Sequence, residues 1–282
     1  MSIYTTRSWE SVIKSREDVP SEFLPSYTDT FGDSEDTFKN SIYLPEDWAL
    51  MKRPAMVLSM KENRLVLFKD VEGSITRRII PIEDIEAVVI SDILLDSSFT
   101  FHFNDRGQQI EERVPFHAVS RRYFMDILEE LRKGFRGAFP DRNIKDSLEE
   151  LEEKSYKLYN FTTDYLRPED RIVESVYEPK LLERARKNRN HSSAPAERNV
   201  VITEKEILVL EGIISQIGTR LEYGVKITIM PNDKVVDAAI AQRDERTRIL
   251  SFHTRNGFRK DVIVGKGNGE KITSLVASLK NR

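Results

Sequence analysis

The chain carries one series of sequence patterns twice, and this internal repeat limits the folds that it can adopt. A strand-like run containing Leu65-Val66-Leu67 is followed by further strand-like runs and an amphipathic helix, and Leu208-Val209-Leu210 begins the same series again. The offset between matching positions grows from 123 residues (Pro45 to Pro168) to 143 residues (Leu65 to Leu208). Since insertions accumulate in loops, this pattern predicts a duplicated module with one long loop near the start of the second copy.

Each copy begins with Pro-Glu-Asp, at 45–47 and again at 168–170. Alternating apolar and polar residues predict the strands, and Phe99, Phe101 and Phe103 show the period of two most clearly. The strand-like runs lie at 48–53, 55–60, 64–69, 74–80, 84–91, 98–104 and 108–115, and then at 171–178, 198–203, 206–211, 222–230, 234–241, 247–254 and 258–264. Each copy closes with a one-sided apolar stripe that predicts a helix, ending at Leu131 and Leu279.

Four segments follow from this reading, namely an N-terminal arm (1–42), a first module (43–137), a helical linker (138–165) and a second module (166–282). The arm is polar and either docks through Phe23, Leu24 and Tyr27 or forms a partly disordered tail. The linker is either a solvated helix lying on one module or a helix for a partner or for self-association.

Seven strands and a closing helix resemble the pleckstrin-homology (PH) superfold, and the cysteine-free tandem arrangement resembles the bacterial PH-like proteins. The resemblance covers 43–135 and 166–282, and it implies two barrels, each of seven antiparallel strands capped by a C-terminal helix. The tryptophan that eukaryotic members carry in that helix is missing from both predicted helices, because the two tryptophans are Trp9 and Trp48. The predicted fold class is therefore mainly β (α+β), and the resemblance implies a fold much more than a function.

Composition narrows the classes of function. A net charge of −3 predicts no global attraction to nucleic acids or anionic membranes. The 282 residues include no cysteine, which excludes disulfides, thiolate nucleophiles and cysteine metal sites. No apolar stretch reaches the roughly 18 residues of a membrane span. We expect a cytoplasmic protein without an integral membrane segment, a nucleic-acid partner, a metal or a cofactor.

The inserted loop of the second copy is the strongest candidate for ligand binding. In PH domains that bind phosphoinositides, bases of the first hairpin hold the phosphates, so the resemblance implies an anion site in this loop. A floppy hydrophilic loop without a ligand is the alternative, and it explains the Asn, Ser and Pro content of the segment. The candidate bases are Lys180, Arg184, Arg186, Lys187, Arg189 and Arg198.

Two other patterns point away from catalysis. Gly265-Lys266-Gly267-Asn268-Gly269 matches neither a dinucleotide fingerprint, since Glu270 stands where glycine is needed, nor a P-loop, so a tight turn into a helix explains it better. The histidines lack the spacing of a metal site; they are His102, His117, His191 and His253. We therefore expect no enzyme and no catalytic residues.

The sequence predicts a scaffold that binds a protein partner or itself through exposed sheet edges and loops. An extended arm within 20–45 could add a strand to one sheet. The alternative is a peripheral membrane adaptor that binds anionic phospholipid or phosphate headgroups through the basic loop 184–198.

Overall fold

The structure, a computed structural model, describes residues 9–33, 38–47, 53–93, 97–136, 148–180, 197–217 and 220–280. These residues are mainly β and form open antiparallel sheets. The strands are β1 (Ser11–Ile13), β2 (Ser41–Leu44), β3 (Met56–Lys61), β4 (Arg64–Val71), β5 (Ser74–Pro81), β6 (Ile85–Asp92), β7 (Ser97–Asp105), β8 (Gln108–Phe116), β9 (Ile172–Glu178), β10 (Arg198–Thr203), β11 (Glu206–Ile217), β12 (Arg220–Pro231), β13 (Val235–Gln242), β14 (Thr247–Thr254) and β15 (Arg259–Gly265). The helices are α1 (Leu24–Phe31), α2 (Arg121–Arg132), α3 (Glu149–Lys154), α4 (Tyr156–Tyr165) and α5 (Gly269–Lys280).

The chain divides into two compact units, and each unit is assembled from separate stretches of sequence. Unit 1 comprises residues 1–85, 94–99 and 113–134. Unit 2 comprises residues 86–93, 100–112 and 135–282. The predicted mainly β class is confirmed, whereas the described strand pairings form open sheets and close no barrel. The predicted strand at 48–53 falls almost wholly outside the described residues.

Tight turns set the register of the sheet in unit 1, whose strand order is β1-β2-β3-β4-β5. Glu62-Asn63 joins β3 to β4, and Glu72-Gly73 joins β4 to β5. All four turn residues have positive φ values, between 50° and 81°. Positive φ at both central residues is the geometry of a type I′ turn, whose twist matches that of antiparallel strands. The two hairpins therefore form from local sequence.

An aromatic cluster holds α1 on this sheet within unit 1. Tyr27 stacks on Phe38 with ring centroids 5.5 Å apart, and its ring lies 5.9 Å from that of Phe68. The Tyr27 hydroxyl shares a hydrogen bond of 2.9 Å with Ser41 Oγ, and burial raises the pKa of Tyr27. Phe23 is also fully buried, so the docking alternative for the arm is confirmed for these residues. The polar arm thus contributes core, and β2 adds a strand beside β3.

The predicted stripe of α2 packs into unit 1. Phe124 stacks on Phe116 at 4.1 Å and on Phe99 at 5.6 Å. Ile127, Leu128 and Leu131 lie on the same helical face and are buried. Burial of one apolar face fixes the orientation of an otherwise polar helix, which confirms the sequence-based helix.

Within the described residues, unit 2 contains three helices and strands of two sheets, whereas 97–99 of β7 and 113–116 of β8 are assigned to unit 1. The larger sheet has the order β8-β7-β6-β12-β11-β10-β9, and the smaller has the order β13-β14-β15. Within unit 2, β6 pairs with β12 from Val88↔Ile229 to Asp92↔Val225. Apolar residues of both sheets form the core together with Ile272, Leu275 and Leu279 of α5. The stripe predicted for the last helix is therefore its buried face.

Ser155 breaks the predicted linker helix into α3 and α4. Its φ of −153° and ψ of 86° are extended, and its Oγ accepts a hydrogen bond from the backbone N–H of Leu158 at 3.3 Å. Leu151 and Leu158 are buried, and α4 contacts β10 and β11. A serine with this geometry caps α4 at its N-terminus, so Ser155 ends one helix and begins the next.

Gly224 provides a test of the β6–β12 pairing in unit 2. A Cβ atom at this position would lie 2.5 Å from the Asp92 carbonyl oxygen and 2.7 Å from Ile93 Cγ1. Because the backbone of β6 cannot move without breaking the pairing, we expect Gly224→Ala to lower the free energy of unfolding by about 1–3 kcal/mol. Urea unfolding followed by circular dichroism would measure this loss.

Gly267→Ala is the matched control, because a Cβ atom there has no neighbour within 4 Å and the residue's φ is not positive. We expect its unfolding midpoint to stay close to that of the wild type. Equal midpoints for the two variants would contradict the close approach of β6 to Gly224.

Candidate binding surfaces

The structure separates the bases of the predicted anion site. Arg184, Arg186, Lys187 and Arg189 lie outside the described residues. Lys180 follows the end of β9 and is exposed, whereas Arg198 is the first residue of β10. The two described bases therefore belong to different environments within unit 2.

Arg198 is enclosed by unit 2, with a relative exposure of 6%. Its Nε lies 3.5 Å from Glu211 Oε1, and its Nη1 donates a hydrogen bond to the Ile263 carbonyl oxygen at 3.3 Å. Burial lowers the pKa of Arg198 below its ordinary value, against the opposing effects of Glu211 and Glu178. The arginine neutralises a neighbouring carboxylate in the fold, whereas Lys180 is open to solvent.

The glycine-rich segment forms the predicted tight turn. Lys266–Asn268 is a single 3-10 turn between β15 and α5. The backbone N–H of Lys266 donates to the Arg246 carbonyl oxygen at 3.0 Å. The Asn268 side chain donates to the Tyr177 carbonyl oxygen and to Glu178 Oε2, each at 2.8 Å. These polar groups tie the turn to its neighbouring strands.

A cavity of about 790 Å³ lies beside this turn in unit 2. Three basic side chains line it, those of Arg248, Lys266 and Lys271. Lys271 forms an ion pair with Glu150. Neither Arg248 nor Lys266 forms an ion pair with any residue that the structure describes. Glu270 lines the same cavity, so its lining carries three basic groups and one acidic group.

Two of the four histidines lie in unit 2, His102 on β7 and His253 on β14. His102 is half-buried, and its ring lies 4.6 Å from that of Phe258. Burial lowers the pKa of His102, although Glu111 opposes this effect. His253 is half-buried as well, and His191 lies outside the described residues. In the described part of the chain, no three His, Asp or Glu side chains are grouped so that they could hold a metal ion.

The fourth histidine belongs to a buried cluster of charges in unit 1. His117 Nδ1 lies 3.0 Å from Glu10 Oε1, and His117 Nε2 lies 3.1 Å from Asp47 Oδ2. The backbone N–H of His117 donates to Glu10 Oε1 at 3.1 Å. The side chain of Glu10 is fully buried and that of His117 is 12% exposed. One imidazole ring therefore bridges two buried carboxylates.

Arg53 supplies the principal counter-charge in this cluster, which comprises Glu10, Asp47, Arg53 and His117. Its Nη1 lies 2.5 Å from Glu10 Oε1. Nε of Arg53 donates to the Pro45 carbonyl oxygen at 3.1 Å, and Nη1 also donates to that of Pro115 at 2.6 Å. Arg53 is 1% exposed; its Nε and Nη1 are paired inside the protein, whereas its Nη2 has no hydrogen-bond partner among the described residues.

The pKa of Glu10 depends on two opposing effects within the cluster, which are burial and the groups that surround the carboxylate. Burial by itself raises the pKa of a carboxyl group, because it penalises the charged form. Arg53 outweighs this penalty, together with hydrogen bonds from Ser120 and the backbone and the charge of His117. The pKa of Glu10 consequently lies below its ordinary value, and Glu10 is ionised at neutral pH.

Both Pro-Glu-Asp sequences place their aspartate in a buried charge cluster. In unit 1, Asp47 contacts His117, and its backbone N–H and carbonyl each bond to Arg53 at 3.0 Å. In unit 2, Asp170 Oδ1 accepts a hydrogen bond from Arg167 Nη2 at 2.8 Å. The middle glutamate is exposed in each copy. The repeated tripeptide thus marks a structural anchor whose ionic partner differs between the units.

Strand β5 is an exposed edge of the sheet in unit 1, because β4 is its only strand neighbour among the described residues. Five of its eight residues are exposed, including Arg77, Arg78 and Ile79. Arg77 Nη1 contacts Asp29 Oδ2 at 3.1 Å. An exposed edge of this length presents unpaired backbone groups to other chains.

The hairpin register shows which backbone groups of β5 face outward. In a two-residue hairpin, the closing pair Val71↔Ser74 is hydrogen-bonded, and the bonded pairs then alternate along the strands. The backbone N–H of Asp70 donates to Ala55 on the opposite side of β4, as this alternation requires. The outward N–H groups of β5 therefore belong to Ile75, Arg77 and Ile79.

Sequence reasoning missed the cluster around Glu10. Its members lie at positions 10, 47, 53 and 117, and no spacing rule joins residues so far apart. Their immediate sequence neighbours, among them Trp9, Pro54 and Phe116, give no sign of a charge cluster. The only available signal was the repeated Pro-Glu-Asp, which identified Asp47 without its partners.

Protein-family models and curated proteins provide no match to this sequence. Of the helices within the described ranges, none is long and apolar enough to cross a membrane.

Glu10→Gln tests the ionic cluster in unit 1. The substitution leaves Arg53 buried without its carboxylate partner, so we expect the free energy of unfolding at neutral pH to fall by about 3–5 kcal/mol. Because the folded-state pKa of Glu10 lies below the reference value of 4.5, its contribution is complete above that value and is lost as the pH falls through the folded-state pKa. The difference between wild type and variant should therefore shrink in acid.

Urea unfolding at pH about 7 and about 3 would measure both effects. Glu46→Gln serves as control, because Glu46 is exposed one residue before the buried Asp47. We expect its unfolding curve to follow that of the wild type. A Glu10→Gln penalty that stays constant with pH would contradict an ionised Glu10 in the cluster.

Proposed function

We propose that the chain is a non-catalytic binding protein, a scaffold built from two PH-like halves. The repeated order of elements supports this proposal. The first half runs through four consecutively paired strands (β2 to β5), three further strands (β6 to β8) and α2. The second half runs through β9 to β12, β13 to β15 and α5. Four strands, three strands and a closing helix form the element order of a PH-like domain.

The exposed edge strand β5 is the observation that carries the proposed mode of binding. Strand addition needs a row of unpaired backbone groups, side chains that do not block approach, and a firm sheet behind the edge. The outward N–H groups of Ile75, Arg77 and Ile79 provide the row. Behind β5, Leu65, Val66 and Leu67 of β4 are buried, so the edge is held firmly.

The side chains of β5 favour one class of partner, an extended segment with acidic residues. Arg77 and Arg78 are exposed on opposite faces of the strand. An added strand with acidic residues on both of its faces would therefore find one basic side chain of β5 on each face. Ile79 is 39% exposed and offers one apolar contact beside them. The partner we propose is therefore a protein with an extended acidic segment.

Ile79→Pro tests this mode directly. Proline removes the outward N–H of residue 79 and leaves the bonds between β4 and β5 intact, as the native Pro81 does two residues later. We expect the variant to fold normally. Extended acidic peptides that the wild type captures from a synthetic peptide array should no longer bind to it. Fluorescence anisotropy would give the affinities.

Two further variants separate binding from folding. Ile79→Thr keeps the N–H and should keep most of the affinity. Arg78→Pro removes a donor that bonds to β4, so it should lower the unfolding midpoint, whereas Ile79→Pro should not. If Ile79→Pro binds as tightly as the wild type, or if the wild type retains no peptide, strand addition at β5 is wrong.

The second candidate function is a peripheral adaptor that binds anionic lipid headgroups through the basic loop 184–198. The bases Arg248 and Lys266, which line a cavity in unit 2 together with Glu270, favour it. Pro179, the residue before Lys180, lines a second cavity of about 480 Å³, which shares Gly267 and Asn268 with the first. Basic side chains of this kind suit the oxygen atoms of a phosphate.

Vesicle co-sedimentation tests the adaptor. If the loop binds headgroups, Arg184→Glu combined with Arg186→Glu should reduce sedimentation with vesicles rich in anionic phospholipid, because each change replaces attraction by repulsion. Glu149→Gln combined with Glu153→Gln is a control on α3, and it should leave sedimentation unchanged. Unchanged binding by the double loop variant would exclude this function.

A further inference from the structure

Strand β1 is a short edge strand that the N-terminal segment places on the sheet of unit 1. It pairs with β2 through only three positions, Ser11↔Tyr43, Val12↔Ile42 and Ile13↔Ser41. It forms the edge opposite β5. A three-residue strand gains little from its backbone bonds alone, so side chains must anchor it.

Two side chains provide the anchors. The Glu10 carboxylate fits between Arg53 and His117, at 2.5 Å from Arg53 Nη1 and 3.0 Å from His117 Nδ1. Three residues later, Ile13 is 1% exposed and joins the apolar cluster that contains Phe23 and Val57. The sheet thus recognises an extended segment with a carboxylate at one end and a branched aliphatic side chain at the other.

The groups that receive this segment all lie further along the chain. They are the backbone edge of β2, the buried Arg53, and the loop from Pro115 to Ser120. A segment without the carboxylate would leave Arg53 buried without its carboxylate partner, which is strongly unfavourable. The receiving edge is therefore selective for an acidic residue at the first position.

We propose that this edge is an exchangeable binding site, and that its second occupant is the segment Glu10–Ile13 of another copy of this chain. The same residues would then make the same contacts between two molecules, and only the largely exposed connection 14–18 would change its path, because Val19 and Phe23 beyond it are buried in the core of unit 1. This site lies on the opposite edge from β5 and uses different residues, so it does not rest on the binding mode proposed for β5.

Concentration governs the exchange. A tethered segment competes at an effective concentration on the order of millimolar, so the intermolecular form should grow as the chain approaches that concentration. Self-association through this site should therefore be weak, reversible and second order in protein. The exchange of the segment between molecules should be slower when its anchoring contacts are strengthened and faster when they are weakened.

Engineered cysteines provide the test, because the chain has no native cysteine. Ser11 and Tyr43 are opposite in register, and directly opposed residues place their Cβ atoms about 4.5–5.5 Å apart, within reach of a disulfide after small adjustments. Full-length Ser11→Cys and Tyr43→Cys chains, distinguished by a mass tag, are mixed and oxidised at rising concentration. We expect a covalent heterodimer whose yield rises with concentration and is several-fold higher than for Ser11→Cys mixed with Ser74→Cys.

The double variant Ser11→Cys with Tyr43→Cys in one chain is the positive control, and it should form an intrachain disulfide at low concentration. Circular dichroism would establish that each variant is folded. If the double variant closes its disulfide but the mixed chains give no more heterodimer than the Ser74→Cys control, the segment is a permanent part of its own sheet and the proposal is overturned. Failure of the double variant to close would overturn the register on which the site is built.

Glu10→Gln gives an independent readout on the mixed chains. Added to the Ser11→Cys chain, it weakens the segment as an occupant, so heterodimer with Tyr43→Cys chains should fall several-fold relative to the unmodified segment. An unchanged yield would show that the carboxylate does not select the occupant.

Discussion

A buried carboxylate cannot stay ionised without a counter-charge, and this constraint organises unit 1. Glu10 lies in the N-terminal segment, and Arg53 and His117 meet it from two distant parts of the chain. Asp47 faces the second nitrogen of the same histidine. Removing either Glu10 or Arg53 would leave the other charge without its principal partner inside the protein. The cluster therefore specifies where the arm begins to pair with the sheet, and it places β1 on the β2 edge.

Unit 2 obeys the same constraint with different residues. Arg167, 3% exposed at its side chain, pairs with Asp170, and its Nε lies 4.0 Å from Glu206 Oε1. Arg198 and Glu211 form a second buried contact. Apolar burial stabilises both units, but it is not directional. Buried charges need particular partners at particular distances, so they determine how the apolar elements are aligned.

The strands and closing helices were accessible from sequence because their signals are local. The alternation around Phe99 to Phe103, the turn at Glu72-Gly73 and the stripe ending at Leu279 each involve neighbours a few residues apart. The pairing of β6 with β12 was not accessible. Both strands are rich in branched apolar residues, as central strands are. Such a run predicts that a strand is buried, but it does not predict which strand pairs with it. The edges that carry the functional proposals, β1 and β5, belong to the separate five-stranded sheet of unit 1.

By itself, the sequence determined the repeated series of strands and helices, the mainly β class and the buried faces, since periodicity and turn chemistry act over a few residues. It also marked Asp47 and Asp170 as repeated positions. Only the tertiary structure decided that a polar arm supplies Tyr27 and Ile13 to a core, and that Glu10 meets Arg53 and His117. Contacts between residues so distant in sequence depend on the path of the whole chain, and no local pattern encodes them.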